Sequence, residues 1–472
     1  MDRRFFLKSA TAAACVGGLG GWARTAGAAN ANTDATAITL TTGESKASLL
    51  GSDYPTTDVW SFNGQIPGLP IRVKHGQALS VDVRNGLSVP TSVHWHGIRL
   101  PNDMDGVAGL TQEAILPGKS FRYHFTPPDA GTFWYHSHVN AYEQVGRGLY
   151  GPLIIEEADA PEVDRDLVWM IDDWRLMKDA SISDDFGAMH DLTHGGRVGN
   201  VSTVNGRVGD TVKVRTGERL RLRLINAANA RVFRLNFDGL NPVVIAIDGQ
   251  PVKPYPANGT MLIGPAGRLD VILDMTGDPG SSTVVIDNAY RDAFELVRFA
   301  YDTKPLRENL LDSEIALAAA RVPEPDLQNA VSQEVIVAGG AMGGLSRAKL
   351  GSQWQSLRDI AQQGYVWAIN DVVADRLTMP PLLSVPRGTT VKLEMENRTA
   401  FPHPMHLHGF HMKVLSIDGQ PQADPRWVDS PLLLPRQKMV FAFVADNPGD
   451  WLLHCHALEH HVAGLGAIVQ VS

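Results

Sequence analysis

An all-β chain of three tandem Greek-key barrels is the fold this sequence predicts, on three observations. A signature of Val, two residues and Gly, with Asn nine positions after the glycine, occurs at Val73/Gly76/Asn85, Val214/Gly217/Asn226 and Val385/Gly388/Asn397. Inside it apolar residues alternate, as in Leu220-Arg221-Leu222-Arg223-Leu224 and Val391-Lys392-Leu393-Glu394-Met395, which is the period of a strand with one face in a core. Each copy follows a turn signal, Asn63-Gly64, Asn205-Gly206 or Asn370-Asp371. A chain of 472 residues also exceeds the roughly 250–300 at which a single core stops growing, so several modules are required.

The elements follow in order. Arg3-Arg4, an apolar stretch to Gly21 and Ala26-Gly27-Ala28 make residues 1–28 a twin-arginine signal peptide, cleaved near Ala28, which directs the protein to the periplasm. Its apolar part is too short for a mature membrane span, and no later run is comparable. The first module is expected at 36–158 and the second at 159–303. Residues 304–358 read as a connection with a helix-like run over 308–320, and the third module fills 359–472. Without residues 1–28 the chain holds 38 Lys and Arg against 50 Asp and Glu. An acidic surface of this kind disfavours nucleic acid and leans towards cationic substrates, although ordinary solubility explains it as well. Cys15 falls in the signal peptide, which leaves Cys455 without a disulfide partner. A lone thiol in an oxidising compartment is protected by burial or by metal.

Chemistry is concentrated in four clusters: His94-Trp95-His96, His136-Ser137-His138, His403-Pro404-Met405-His406-Leu407-His408 and His454-Cys455-His456 with His460 beyond. On a strand, residues i and i+2 share a face, so each His-x-His is a pincer. In the last cluster the two imidazoles face one compartment and the thiolate the other. Imidazole and thiolate are donors that copper takes, and a His, His, Cys set with a weak or absent axial partner describes a blue electron-transfer site. Scattered packing histidines would not gather in four clusters at these spacings, because buried polar groups without partners are costly.

Overlaying the copies locates the metal. His94 and His96 follow Asn85 by nine and eleven residues, and His406 and His408 follow Asn397 likewise, where copy two has Leu235 and Phe237. His136 and His138 follow Gly131 by five and seven, as His454 and His456 follow Gly449, where copy two has Val285 and Asp287. Modules one and three therefore share one site by pseudo-symmetry. Thr91, Ser137 and Tyr142 stand in copy one where copy three has His403, Cys455 and His460, so a mononuclear site belongs to module three alone. Module two is expected to be a ligand-free spacer.

With these motifs the chain resembles the three-domain multicopper oxidases, the family of laccases, copper-efflux oxidases and copper-resistance proteins, over essentially its whole mature length. The resemblance implies three cupredoxin-like Greek-key β-barrel domains and four copper ions, one type 1, one type 2 and two type 3. It assigns His403, Cys455 and His460 to type 1, and His94 and His406 to type 2. His96, His136 and His456 would hold one type 3 ion, and His138, His408 and His454 the other. Leu465, ten residues after the cysteine, takes the axial position. Leucine donates no electrons, so a higher potential is expected than with methionine.

Asp105 falls where the family places an acidic residue near the cluster, which makes it the expected proton donor; a turn-forming Asp before Gly106 is the plainer reading. Bacterial relatives often carry Glu directly after the last type 1 histidine, and this chain has His461. Glu459 is nearby but expected to point elsewhere. His190, Asp191 and His194, near Asp184 and Asp185, would bind an extra metal or border a substrate entrance, unless they are solvated loop residues. His411 reads as packing beside the type 1 strand, and Trp134 and Trp451 as a rigid shell around the histidine strands.

The expected reaction is one-electron oxidation of phenolic or aromatic amine donors with reduction of O2 to water. The alternatives are a metallo-oxidase for cuprous, ferrous or manganous ions in copper tolerance, and a non-catalytic copper-binding protein. Only Met342 lies in 304–358 and the 13 methionines are scattered, unlike the thioether-rich segment that soft Cu(I) favours. Around residues 101–106 and 132–136, however, the chain looks like the copper-resistance branch. A monomer with no nucleic-acid partner and no membrane span, exported by the twin-arginine machinery, completes the expectation.

Overall fold

The computed structural model describes residues 36–291, 293–375 and 379–472; the expected signal peptide and Cys15 lie outside them. The three signature copies occupy equivalent strands, Leu79–Asn85, Arg219–Asn226 and Thr389–Asn397. Each pairs in parallel with an earlier strand, respectively Thr36–Ala47, Arg165–Trp174 and Val331–Gly339. On its other side each pairs antiparallel with Ser120–Phe125, Arg268–Asp274 or Lys438–Ala445. A second sheet completes every module. In the first it runs Ile71–Lys74, Tyr150–Glu156, Gly131–Ser137, Val93–His96, and in the third Leu383–Val385, Gly466–Val471, Gly449–Cys455, His403–Leu407, Leu432–Leu433. Apolar alternation on the facing strands fills one core per module.

The repeated asparagine is a buried clamp. The Asn85 amide donates to Val89 O and Ile115 O at 2.8 Å, and its oxygen accepts from Leu87 N. Asn226 binds Arg231 O, Ile263 O and Ala228 N in the same way, and Asn397 binds Phe401 O, Leu433 O and Thr399 N. The clamp ties down the loop that leads into the next strand, which in modules one and three carries the histidines. In module two the equivalent Leu235, Phe237 and Val285 are buried in the apolar core.

Two expectations change. Residues 331–339 are not connection: they form the strand that pairs in parallel with Thr389–Asn397, so the third module includes residues well before 359. The helix-like run over 308–320 contains no helix. Leu311, Ser313, Ile315 and Leu317 are half-buried while Asp312, Glu314, Ala316 and Ala318 are exposed, a period of two that marks an extended chain draped on a surface. Arg219 holds it there, donating to Leu311 O at 2.7 Å, and this tertiary contact overrides the local helix propensity.

The alternating arginines of Arg219–Asn226 depart from the expected one-sided strand too, because both faces are buried. Leu220, Leu222 and Leu224 enter the module core. Arg221 is held by Glu157 and Asp270 at 2.6 Å, and Arg223 by Asp166 at 2.9 Å and Thr132 at 3.0 Å. Paired, multiply bonded guanidiniums offset the cost of burying charge. Thr132 lies on the histidine strand Gly131–Ser137, so module two braces module one directly behind the site. Among the described residues no helix is long and apolar enough to cross a membrane.

Candidate metal centre

Strand pairing sets the pincers opposite one another, with His94 facing His136 in Val93–His96 and Gly131–Ser137, and His406 facing His454 in His403–Leu407 and Gly449–Cys455. Across the seam between modules one and three, His94 Nε2 lies 3.3 Å from His406 Nε2, and His136 Nε2 lies 3.4 Å from His456 Nε2. Within module three, His408 Nε2 lies 3.1 Å from His454 Nε2. Two nitrogens each about 2.0 Å from one ion stand about 3.2 Å apart at near-tetrahedral angles, so the three separations are those of imidazoles sharing a cation.

The remaining ring nitrogens fix the tautomers. Nδ1 of His94 donates to Asp105 O at 2.8 Å, that of His136 to Ser137 O at 2.9 Å, and that of His406 to Asp429 O at 3.0 Å. His454 Nδ1 donates to Cys455 O and His408 Nδ1 to Asp105 Oδ2, both at 2.9 Å. Each leaves an Nε2 lone pair aimed inward, the arrangement a metal-binding histidine needs. His96 is reversed: its Nε2 meets Ser430 Oγ at 2.9 Å and Asp429 Oδ1 at 3.2 Å, while its Nδ1 has no partner. His138 Nε2 is equally orphaned, although buried polar atoms are normally paired. These unpartnered nitrogens fit a metal.

Burial, joined by neighbouring imidazoles, holds His96, His136, His138, His408, His454 and His456 well below the usual imidazole range. They are neutral donors at neutral pH. In the copper-free protein this sets a pH dependence: below about 6.5 the unfolded chain takes up protons that the folded one refuses, so stability is lost as pH falls. Denaturant titrations of the copper-free protein between about pH 7.5 and 5 should show a declining midpoint, and a constant midpoint would contradict neutral burial.

A second set of donors converges on the opposite side of Gly449–Cys455. Cys455 Sγ is 3.4 Å from His403 Nδ1 and 3.7 Å from His460 Nδ1, and the two nitrogens are 3.1 Å apart. All three residues are 0% exposed, and burial pushes the thiol up, so a thiolate here requires a cation beside it. The far nitrogens are held by Thr399 Oγ1 at 2.8 Å and His194 O at 2.6 Å. Leu465 is buried in the same core cluster as Cys455, and its carbonyl accepts from Cys455 N.

The ligand candidates for the shared and mononuclear sites thus fall in two adjacent donor sets, with Leu465 and Asp105 beside them, whereas His190, Asp191 and His194 form no donor group among the described residues. Asp105 is fully buried, bonded to His408, with Oδ1 3.3 Å from His94 Nδ1. Glu459 points away to Asn229 at 2.8 Å. His411 meets Asp248 O and Asp429 rather than the mononuclear set. Trp134 lies tilted by 31° with its ring 4.3 Å from that of His136, whereas Trp451 packs on Phe410.

The sequence did not reveal Asp429, Ser430 and Arg268. Asp429 touches His96 and His411 and forms a two-pronged pair with Arg268 at 2.6 and 2.5 Å. Burial alone would raise its pKa, but Arg268 outweighs that and holds it well below the usual carboxylate range. Trp367 was missed as well; it lies 4.4 Å from His460 and 5.0 Å from His403.

Comparison with known proteins agrees with this geometry. Three family models, each described as multicopper oxidase, match residues 43–160, 165–298 and 352–472. The chain is 31% identical to the multicopper oxidase MmcO of Mycobacterium tuberculosis over 87% of its own length and 82% of that protein. It is 29% identical to copper resistance protein A of Escherichia coli over 100% of its length and 99% of that protein, and laccases stand among further relatives. The crystal structure of a multi-copper oxidase from Pseudomonas thermotolerans matches 93% of the chain and 100% of its own, with 29% identity and a TM-score of 0.81. The chain belongs to the multicopper oxidases, copper enzymes that oxidise a reductant and hand its electrons to dioxygen.

Proposed function

We propose that the protein is a laccase-like oxidase of phenols and aromatic amines. Copper held in these sites supplies one-electron oxidation of the donor and four-electron reduction of O2. On this reading His403, Cys455 and His460 hold the type 1 ion, with Leu465 axial. His94 and His406 hold type 2; His96, His136 and His456 one type 3 ion, and His138, His408 and His454 the other. Convergence of Cys455 with His403 and His460, while its chain neighbours His454 and His456 face the other set, is the observation that carries this reading. It leaves only a few covalent bonds between the site of donor oxidation and the site of O2 reduction. On the same reading Asp105 would hold and pass the protons that water formation consumes, a role supported by its bond to His408 and its contact with His94.

The donor class rests on the scatter of methionines along the sequence, where the 13 form no thioether-rich segment of the kind that Cu(I) favours. Similarity to a copper resistance protein over the full length supports a metallo-oxidase as the second reading. Oxygen uptake by the copper-loaded enzyme decides between them: turnover of 2,6-dimethoxyphenol is expected, and uptake with Cu(I) but none with phenols would transfer the assignment. Export to the periplasm by the twin-arginine route accords with Arg3-Arg4 and Ala26-Gly27-Ala28.

The axial assignment has its own test. Leu465→Met is expected to lower the type 1 potential, because a thioether stabilises the oxidised ion and leucine does not. Redox titration of the visible band reads it; an unchanged or raised potential would remove Leu465 from the axial position.

A further inference from the structure

The type 1 donors have no direct face to solvent. His403, Cys455 and His460 are 0% exposed, and the His460 nitrogen pointing away from the sulfur donates to the His194 carbonyl at 2.6 Å. His194 belongs to the middle module, at the end of the short helix Met189–Thr193. The same turn is pinned to the third module twice more: Trp367 Nε1 donates to Leu192 O at 2.7 Å, and Ala341 N to Thr193 O at 2.7 Å. Within its own module Arg175 grips Asp191 through two bonds, at 2.7 and 3.0 Å. Module two, expected to be a spacer, therefore supplies a fixed cap over the type 1 site.

On the cap the rings of His194 and His190 lie parallel, 4.3 Å between centroids and 7° between planes. The inner member of this pair carries the carbonyl bound to His460, and the outer, His190, has a side chain 78% exposed. The alignment is set by the i, i+4 spacing on the short helix and by His194 Nδ1, which meets His190 O at 3.1 Å and Thr193 Oγ1 at 2.9 Å; no ion pair is needed, since the His190 contact to Asp191 is 3.7 Å and Asp191 is already satisfied by Arg175. A third flat ring placed on His190 would extend the stack by one unit.

We propose that this pair is the port through which electrons enter: a planar phenol or aromatic amine stacks on His190 and reaches the type 1 site without touching His460. The inference rests on the donor class proposed above and names where that donor sits. The path runs from donor ring to His190, His194, the His194 carbonyl and His460, through two ring stacks and one hydrogen bond. A phenol ArOH leaves as the radical ArO• after giving up one electron and its hydroxyl proton. The proton would pass to the water around exposed His190, and the electron would be taken by the copper that His403, Cys455 and His460 would hold. Four such events match the reduction of one O2, with four protons, to two waters.

The test uses the copper-loaded enzyme and two variants. His190→Ala removes the ring, whereas His190→Phe keeps a flat face and removes the nitrogen a metal ion would need. Loss of one aromatic contact is worth a factor of about five to ten, so His190→Ala should raise KM for 2,6-dimethoxyphenol by about that factor, with a smaller effect on kcat. His190→Phe should stay within about twofold of wild type. Independent of turnover, the oxidised enzyme should broaden the ring-proton NMR signals of 4-nitrophenol, a poor donor; the broadening should persist in His190→Phe and vanish in His190→Ala. Unchanged KM and broadening in His190→Ala overturn the port while leaving the donor class standing. Equal damage in both variants also overturns it, since the nitrogen and not the face would then matter. Absence of phenol turnover in the wild type removes the donor class and the port together.

Discussion

Cys455→Ser is expected to abolish the intense visible band and to cut oxygen uptake with any external donor by at least about a thousandfold, or about 4 kcal/mol in barrier. Serine matches the thiol closely in shape, and Cys455 sits in a fully buried core cluster with Met405 and Leu465, so the fold should survive. The chemistry should not, because a hydroxyl in a fully buried site stays protonated and is a hard donor, where the type 1 ion takes a soft thiolate. The imidazoles of the other set do not involve the Cys455 side chain and should keep their copper. Visible and EPR spectra with an oxygen electrode read all three consequences. A variant that stays blue, or that keeps a tenth of its uptake, would displace Cys455 from its assigned role.

Asp105→Asn should slow turnover by about a hundredfold, within the range for losing a positioned proton carrier or an outer partner of a metal ligand. The amide has nearly the same volume, and its oxygen can still accept from His408 Nδ1, now 2.9 Å from Asp105 Oδ2. Ring orientation is therefore largely kept, and the backbone carbonyl still accepts from His94. What disappears is a group able to exchange a proton beside both rings. Steady-state rates in H2O and D2O should show the slow step becoming proton-dependent, with Asp105→Glu recovering part of the rate. If Asp105→Asn runs within about twofold of wild type, the residue only orients its histidines.

Legibility of the sequence followed the range of the contacts. The histidine pincers and Cys455 could be picked out because strand geometry makes i and i+2 share a face, so a local pattern carries the three-dimensional message; Asp105, at the end of the turn Asn102–Met104, was legible only through the family resemblance. The repeated asparagines were legible as markers of copies, but not as clamps, because their partners lie up to 43 residues away. Asp429 and Arg268 meet across 161 positions, with no spacing rule to join them. The same holds for His194 and His460, 266 apart, which is why the middle module read as a spacer rather than a cap. The run at 308–320 misled for the opposite reason: its local preference was helical, and a surface contact with Arg219 decided against it.

The copper content of the purified holoprotein, measured together with its EPR spectrum, tests most directly whether modules one and three jointly build a three-metal site beside a mononuclear one. The account predicts four coppers per chain, two of them visible by EPR and two silent as a coupled pair, with His94→Ala losing copper from the cluster while the blue band remains. One copper per chain, or four that all titrate as isolated ions, would contradict it.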